Sequence, residues 1–167
     1  MTQRMNAVLE ALASNRYQDL LDAIPYVRHL GIRVEGEQDA RKSTLLFHLP
    51  FRNEIIGNPM LPALHGGVVG ALLETASMIQ VIASERQSRM PRLIDFSVDY
   101  LRSARTKDCW AECNVVRMGS SIAAVSVRCW QDDETAPIAT ARAHLLLVEP
   151  MPQQHGGLPM KPQPFDI

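Results

Sequence analysis

The tripeptide His65-Gly66-Gly67, followed nine residues after its histidine by Glu74, lies inside one apolar stretch, LHGGVVGALLETASMIQVI from Leu64 to Ile82. Apolar and small residues fill nearly every position, so the stretch reads as a helix buried on most faces. Glu74 is its single carboxylate. A carboxylate in such a helix is expected to be buried, which is costly unless the group is paired or used. The two glycines stand where the helix begins, where backbone N–H groups lack intrahelical partners and the helix dipole is positive. An open helix start and an acid on the same helix point to chemistry on a carbonyl. The helix start supplies a donor for a developing oxyanion, and the acid activates water or attacks directly. Glycine at position 66 leaves the approach of that carbonyl unobstructed.

Spacing decides how the two parts are used. Gly66 and Glu74 are eight residues apart, which is about 12 Å along a helix axis and about 80° around it. One reacting carbonyl cannot touch both. If both act on one substrate, the helix start of one chain meets the acid of another, so a symmetric homodimer with two composite sites is expected. His155-Gly156-Gly157 repeats the tripeptide without a helical pattern after it or an acid at that distance. The helix and Glu74, not the bare tripeptide, therefore carry the inference.

Other polar residues read differently. Asn58, in Gly57-Asn58-Pro59, is a turn-forming residue on local grounds. His29, His48 and His144 are isolated and read as structural. Arg102, Arg105 and Lys107 gather after Tyr100-Leu101, either as a solvated strand end or as a phosphate-binding patch. No Walker loop, dinucleotide fingerprint, zinc motif or nucleophile elbow occurs in the sequence.

A chain of 167 residues suffices for a domain with its own core. The formal net charge is −1, with 21% charged residues and no basic stripe, so no nucleic-acid partner is expected. Arg4, Glu10 and Arg16 interrupt the N-terminal apolar positions, which argues against a signal peptide or a membrane span. Cys109, Cys113 and Cys129 lack metal-ligand spacing. Cys109 and Cys113 would point the same way on a strand, into a core. A reducing, cytoplasmic setting is expected, with no metal.

These residues need elements to position them. Apolar residues at helical spacing predict an amphipathic helix over residues 3–24, ended by Pro25, so residues 1–24 form an N-terminal segment. Short strands follow at 30–38 and 42–50 around a charged turn, Gln38-Asp39-Ala40-Arg41, and a loop from Arg52 to Pro62 leads into the long helix. Strands are predicted at Leu93–Ser103, Trp110–Met118, Ile122–Gln131 and Pro137–Glu149, with turns at Gly119-Ser120 and Asp132–Thr135. In the last strand Ala139, Ala141, Ala143, Leu145 and Leu147 share one face, and the small alanines let a helix approach closely. The result is an α+β domain over residues 25–149, a twisted antiparallel sheet wrapped around one long central helix, with an extra N-terminal helix. Residues 150–167 hold five prolines and read as an extended tail.

Taken in order, Ile24-Pro25-Tyr26-Val27-Arg28-His29-Leu30-Gly31, Asn58, His65-Gly66-Gly67 with Glu74, and Asp95-Phe96-Ser97-Val98-Asp99-Tyr100-Leu101-Arg102 resemble the hotdog-fold acyl-CoA thioesterases, the PaaI-like branch in particular. The resemblance spans roughly residues 24–149. It implies the hotdog fold, a homodimer that often pairs again into a tetramer, an acyl-CoA substrate, and no cofactor, coenzyme A being part of the substrate. It also implies roles. Glu74 falls at the catalytic acid, as general base or nucleophile, in a branch that more often carries Asp there. Gly66 falls at the oxyanion N–H, His65 and Asn58 at positions that orient the thioester or water, and Gly67 beside them in the substrate site. Arg102 and Arg105 fall near the coenzyme A phosphates.

Two other readings stand beside hydrolysis. One is a hydratase or dehydratase of the same fold, although the His-Phe-Pro-type loop of acyl-carrier dehydratases is absent. The other is a non-enzymatic acyl-CoA-binding module, a use of the fold that goes with attached domains. The acyl group is left open, with Met60, Leu61, Met78 and Ile79 expected to line an apolar pocket.

Overall fold

The computed structural model describes residues 14, 16–35, 44–85 and 89–149. The first part of the helix expected over 3–24, the charged turn at 38–41 and the Pro-rich tail from residue 150 lie outside the described residues. Within them the N-terminal helix appears as α1, Tyr17–Ala23, with Leu20 and Leu21 buried. Pro25 ends α1 and also begins a second helix the sequence pattern did not reveal, α2 at Pro25–Leu30, where it occupies the first turn. Proline suits that position because its missing N–H would have had no intrahelical acceptor.

Among the described residues, strand β1 spans Arg33–Glu35, beginning three residues later than expected, and β2 spans Leu46–Leu49. The stretch 52–62, expected as loop, instead contains a 3-10 turn at Asn53–Ile55 and strand β3 (Ile56–Asn58), which pairs antiparallel with β4 (Ala63–Leu64). Then comes the long helix α3, Gly66–Ser84. Four strands follow: β5 (Met90–Tyr100), β6 (Cys109–Met118), β7 (Ile122–Trp130) and β8 (Ala139–Val148). The main sheet has the order β1-β2-β6-β7-β8-β5, antiparallel throughout, so β1 and β5 are its edges.

Helix α3 lies across β5, β6, β7 and β8. The alanine row makes this approach possible: Ala139, Ala141 and Ala143 are buried, in register with Cys129, Val127 and Val125 of β7. From the helix side Leu72, Leu73, Ala76 and Val81 are wholly buried. Each leucine contributes about 1.5–3 kcal/mol by leaving water. Cys109, Cys113 and Cys129 are free and buried in the same core, and burial, with Glu112 nearby, pushes the Cys113 thiol up to about 12. Gln80, also buried, accepts the Leu45 N–H at 2.8 Å and so ties the helix to the segment entering β2.

One face of α3 escapes the sheet. Gly67 and Glu74 are exposed, and Gly70, Ala71, Met78 and Ile82 are half-buried. These positions fall three or four apart and form a single stripe. The expectation that Glu74 is buried is therefore corrected: within one chain it faces outward. A cylinder packed on a sheet is covered on one side only, and α1 and α2 shield the other side incompletely.

Candidate active site

The start of α3 is fixed from both sides. Leu64 N–H donates to Ala104 O at 2.9 Å, and His65 N–H donates to Ile55 O at 2.9 Å. A Cβ on Gly57 would lie 2.6 Å from His65 Cα, so β3 approaches the helix start at a distance that only glycine permits. His65 is the N-cap: its Nδ1 accepts the Gly67 N–H at 2.9 Å. A neutral ring accepting at Nδ1 carries its proton on Nε2. With the Gly67 N–H spent on this cap, the Gly66 N–H, at the positive end of a 19-residue helix, is the donor left to face a ligand.

Gly66 opens into a cleft of about 430 Å³ whose walls include Tyr100, Arg102 and Ala104. The Tyr100 hydroxyl donates to Gly66 O at 2.7 Å. Residue type alone does not single out Tyr100 as a wall of this cleft, although it stands in the strand motif that carries the resemblance. Arg102, at the same cleft, donates from Nη1 to Pro137 O at 2.5 Å. Nearby, hydrogen bonds from the Thr135 hydroxyl and N–H, with a smaller contribution from Arg102, hold the Asp133 carboxyl below its usual range.

The remaining expected residues are placed less uniformly. Asn58 is exposed and closes the turn after β3, its Oδ1 accepting from Met60 N–H (3.0 Å) and Leu61 N–H (3.2 Å). Arg105 is held through its main chain, which exchanges hydrogen bonds of 2.9 Å with the Gln131 amide and bridges to Ala63. Lys107 pairs with Asp132 at 2.6 Å. Met60 and Leu61 do not share a pocket with Met78 and Ile79: they are 88% and 72% exposed at the tip of the turn, whereas Met78 and Ile79 line a groove beside Glu74. The apolar pattern of a turn does not reveal which surface it faces.

Glu74 therefore opens onto a different cavity from Gly66, two helical turns further along α3. The structure gathers Gly66, Gly67, His65 and Arg102 around the helix start, with Asn58 on the adjoining turn, and leaves Glu74 apart, as the helix arithmetic required. Of the three histidines read as structural, two have side-chain partners: His48 Nε2 lies 2.9 Å from Asp108 with its ring stacked on Trp110, and His144 lies 3.1 Å from Asp95. His29 is exposed on α2, and its main-chain oxygen accepts from Arg52. Among the described residues, no three His, Cys, Asp or Glu side chains gather as metal ligands.

Residues 61–138 match the profile of the thioesterase superfamily. The chain is 30% identical over 135 residues to the medium/long-chain acyl-CoA thioesterase YigI of Salmonella typhimurium, covering 72% of this chain and 83% of that one. Identity and coverage are the same against the protein of that name from Escherichia coli K12. Among solved structures it is similar to a Chromobacterium violaceum protein, with 34% identity, a TM-score of 0.66, and coverage of 89% and 98% of the two chains. A protein solved as a thioesterase-superfamily member has a TM-score of 0.70 at 26% identity, with coverage of 78% and 95%. The chain belongs to the thioesterase superfamily: it is a thioester hydrolase of the hotdog fold.

Proposed function

We propose that this thioesterase hydrolyses medium- to long-chain acyl-CoA to the fatty acid and free coenzyme A, at a site shared between two copies of the chain. The observation that carries the reading is the division of one helix into two working parts: an open N–H at Gly66 and an exposed carboxylate at Glu74, in different cavities. The substrate class follows the relatives named above, which are medium/long-chain acyl-CoA thioesterases by name.

In this reading Glu74 takes a proton from water, and the hydroxide attacks the thioester carbonyl carbon. The Gly66 N–H of the second copy, aided by the helix dipole, holds the oxyanion. Collapse expels the coenzyme A thiolate, which is protonated by the acid formed on Glu74. The Nε2–H of His65 and the Asn58 amide orient the thioester, Gly67 supports them, and Arg102 and Arg105 offer positive charge to the phosphates. The edge strand β5 supports the pairing. It has 11 residues, and its free edge is the kind of surface that proteins usually cover. Antiparallel pairing of two β5 strands about Phe96 sets Tyr100, which bonds Gly66, beside the Met90 end of the other strand. Met90 lines the groove of Glu74. Further pairing into a tetramer is compatible with this edge contact. The three free thiols fit a reducing cytoplasm.

Thiol release from a panel of acyl-CoAs tests the reading. Glu74→Gln should retain the fold by circular dichroism and lose about 10²-fold or more in turnover, the scale of a positioned base. Undiminished turnover would remove Glu74 from the mechanism. Acyl-CoA binding without turnover in the wild type would indicate a binding module.

A further inference from the structure

The groove beside Glu74 is built mostly from residues the hydrolysis does not use. Ala71, Glu74, Met78 and Ile82 line it along α3, and Ile24 and Tyr26, at the joint of α1 and α2, form the opposite wall. Ile24 and Tyr26 are 40% and 55% exposed although large and apolar. The groove measures about 370 Å³, and among the described residues Glu74 is the one charged residue in its walls. That wall comes from residues before 61, outside the segment matched to the superfamily.

Resting on the thioesterase reading, we propose that this groove receives an aliphatic acyl chain and that Met78 and Ile82 set the chain length it accepts. A thioester carbonyl positioned at Glu74 is met by the helix start of the second copy at the mouth of the groove, and its acyl tail lies along α3 toward Ile82. The described walls there, Met78, Ile79 and Ile82, give an alkyl chain apolar contact. Glu74 and Ile82 are eight residues apart, about 12 Å of helix. An extended chain of roughly nine or ten carbons spans that distance at about 1.25 Å per bond. Beyond Ile82 further methylenes lose the helix wall.

The test is kcat/KM across acyl-CoAs from butyryl to hexadecanoyl, for the wild type and two variants. In the wild type the value should rise by about fourfold per methylene, as each leaves water, and level off near ten to twelve carbons. Ile82→Trp, which fills the far end, should lower the dodecanoyl-to-butyryl ratio by about tenfold or more and move the break roughly two to four carbons shorter. Ile82→Ala removes atoms without crowding the core and should move the break longer. A break unchanged in both variants, or a wild-type profile flat with chain length, overturns the assignment while leaving the thioesterase intact. Absence of turnover on every ester overturns the thioesterase reading itself, so the two failures are distinct.

Discussion

His65 serves the helix before it serves any substrate. Its Nδ1 is occupied as acceptor of the Gly67 N–H, so the ring presents Nε2–H outward. It can donate from Nε2 to a carbonyl or a water. In the proposed hydrolysis Glu74 is the base, and His65 orients the thioester or the water. A Cβ on Gly67 would stand 2.9 Å from Nδ1 and 3.0 Å from Cε1 of that ring. Gly67→Ala should therefore displace the imidazole and forfeit a cap worth about 0.5–2 kcal/mol. In a His65→Ala background the clash is gone, and the same change should gain about 0.5–1 kcal/mol from helix propensity. Thermal unfolding of the four proteins checks this: the effect of Gly67→Ala should change sign between the backgrounds, at about 2–4 °C per kcal/mol for a chain of this size. Equal effects in both would show that the cap contributes nothing.

At the scale of elements, the helix start is held by a ribbon that left almost no trace in the sequence. β3 and β4 have three and two residues, too few for alternation to show, and α2, with six residues, is likewise below the length at which helical spacing is readable. The long elements were legible because their patterns repeat: α3, β6, β7 and β8 fall within a residue or two of their expected bounds, whereas β5 begins three residues earlier than expected and ends three earlier. The orientation of Glu74 was not legible, because a helix apolar on nearly all faces does not say which face the sheet covers. In the sequence Gly57 is legible only as part of a turn; its close approach to His65 depends on two strands meeting a helix, which is a tertiary fact. Gly57→Ala tests that junction. Its Cβ would meet the main-chain Cα of His65 at 2.6 Å, so the ribbon and helix start must move apart, at a cost of about 1–3 kcal/mol. Turnover should fall together with the unfolding midpoint. Retained stability with normal turnover would mean the ribbon does not position the site.

At the scale of the whole molecule, the argument turns on whether one chain is enough. Gly66 and Glu74 open into separate cavities of the same chain, so in the proposed mechanism a single copy offers either an oxyanion donor or a base to one carbonyl. The β5 edge supplies a specific way to join two copies. β8 pairs with β5 on its other side, with a register shift between Leu93 and Asp95. Two β5 strands set antiparallel about Phe96, with that irregularity taken up at Ile94, bring Arg92 opposite Asp99, twice by symmetry. Both residues are exposed in the single chain. Opposite charges facing across strands contribute about 0.2–1 kcal/mol per pair, and like charges cost a comparable amount. Arg92→Asp should therefore weaken self-association by roughly tenfold through its two like-charge contacts, and turnover at low enzyme concentration should fall with it. Adding Asp99→Arg to the same chain reverses both charges and should restore association and turnover together. Sedimentation velocity over a dilution series, read beside the rate of thiol release, measures both. A wild type that is monomeric and active at every concentration would overturn the shared site. A double variant as weak as Arg92→Asp would move the interface away from β5 while leaving the need for a second copy in place.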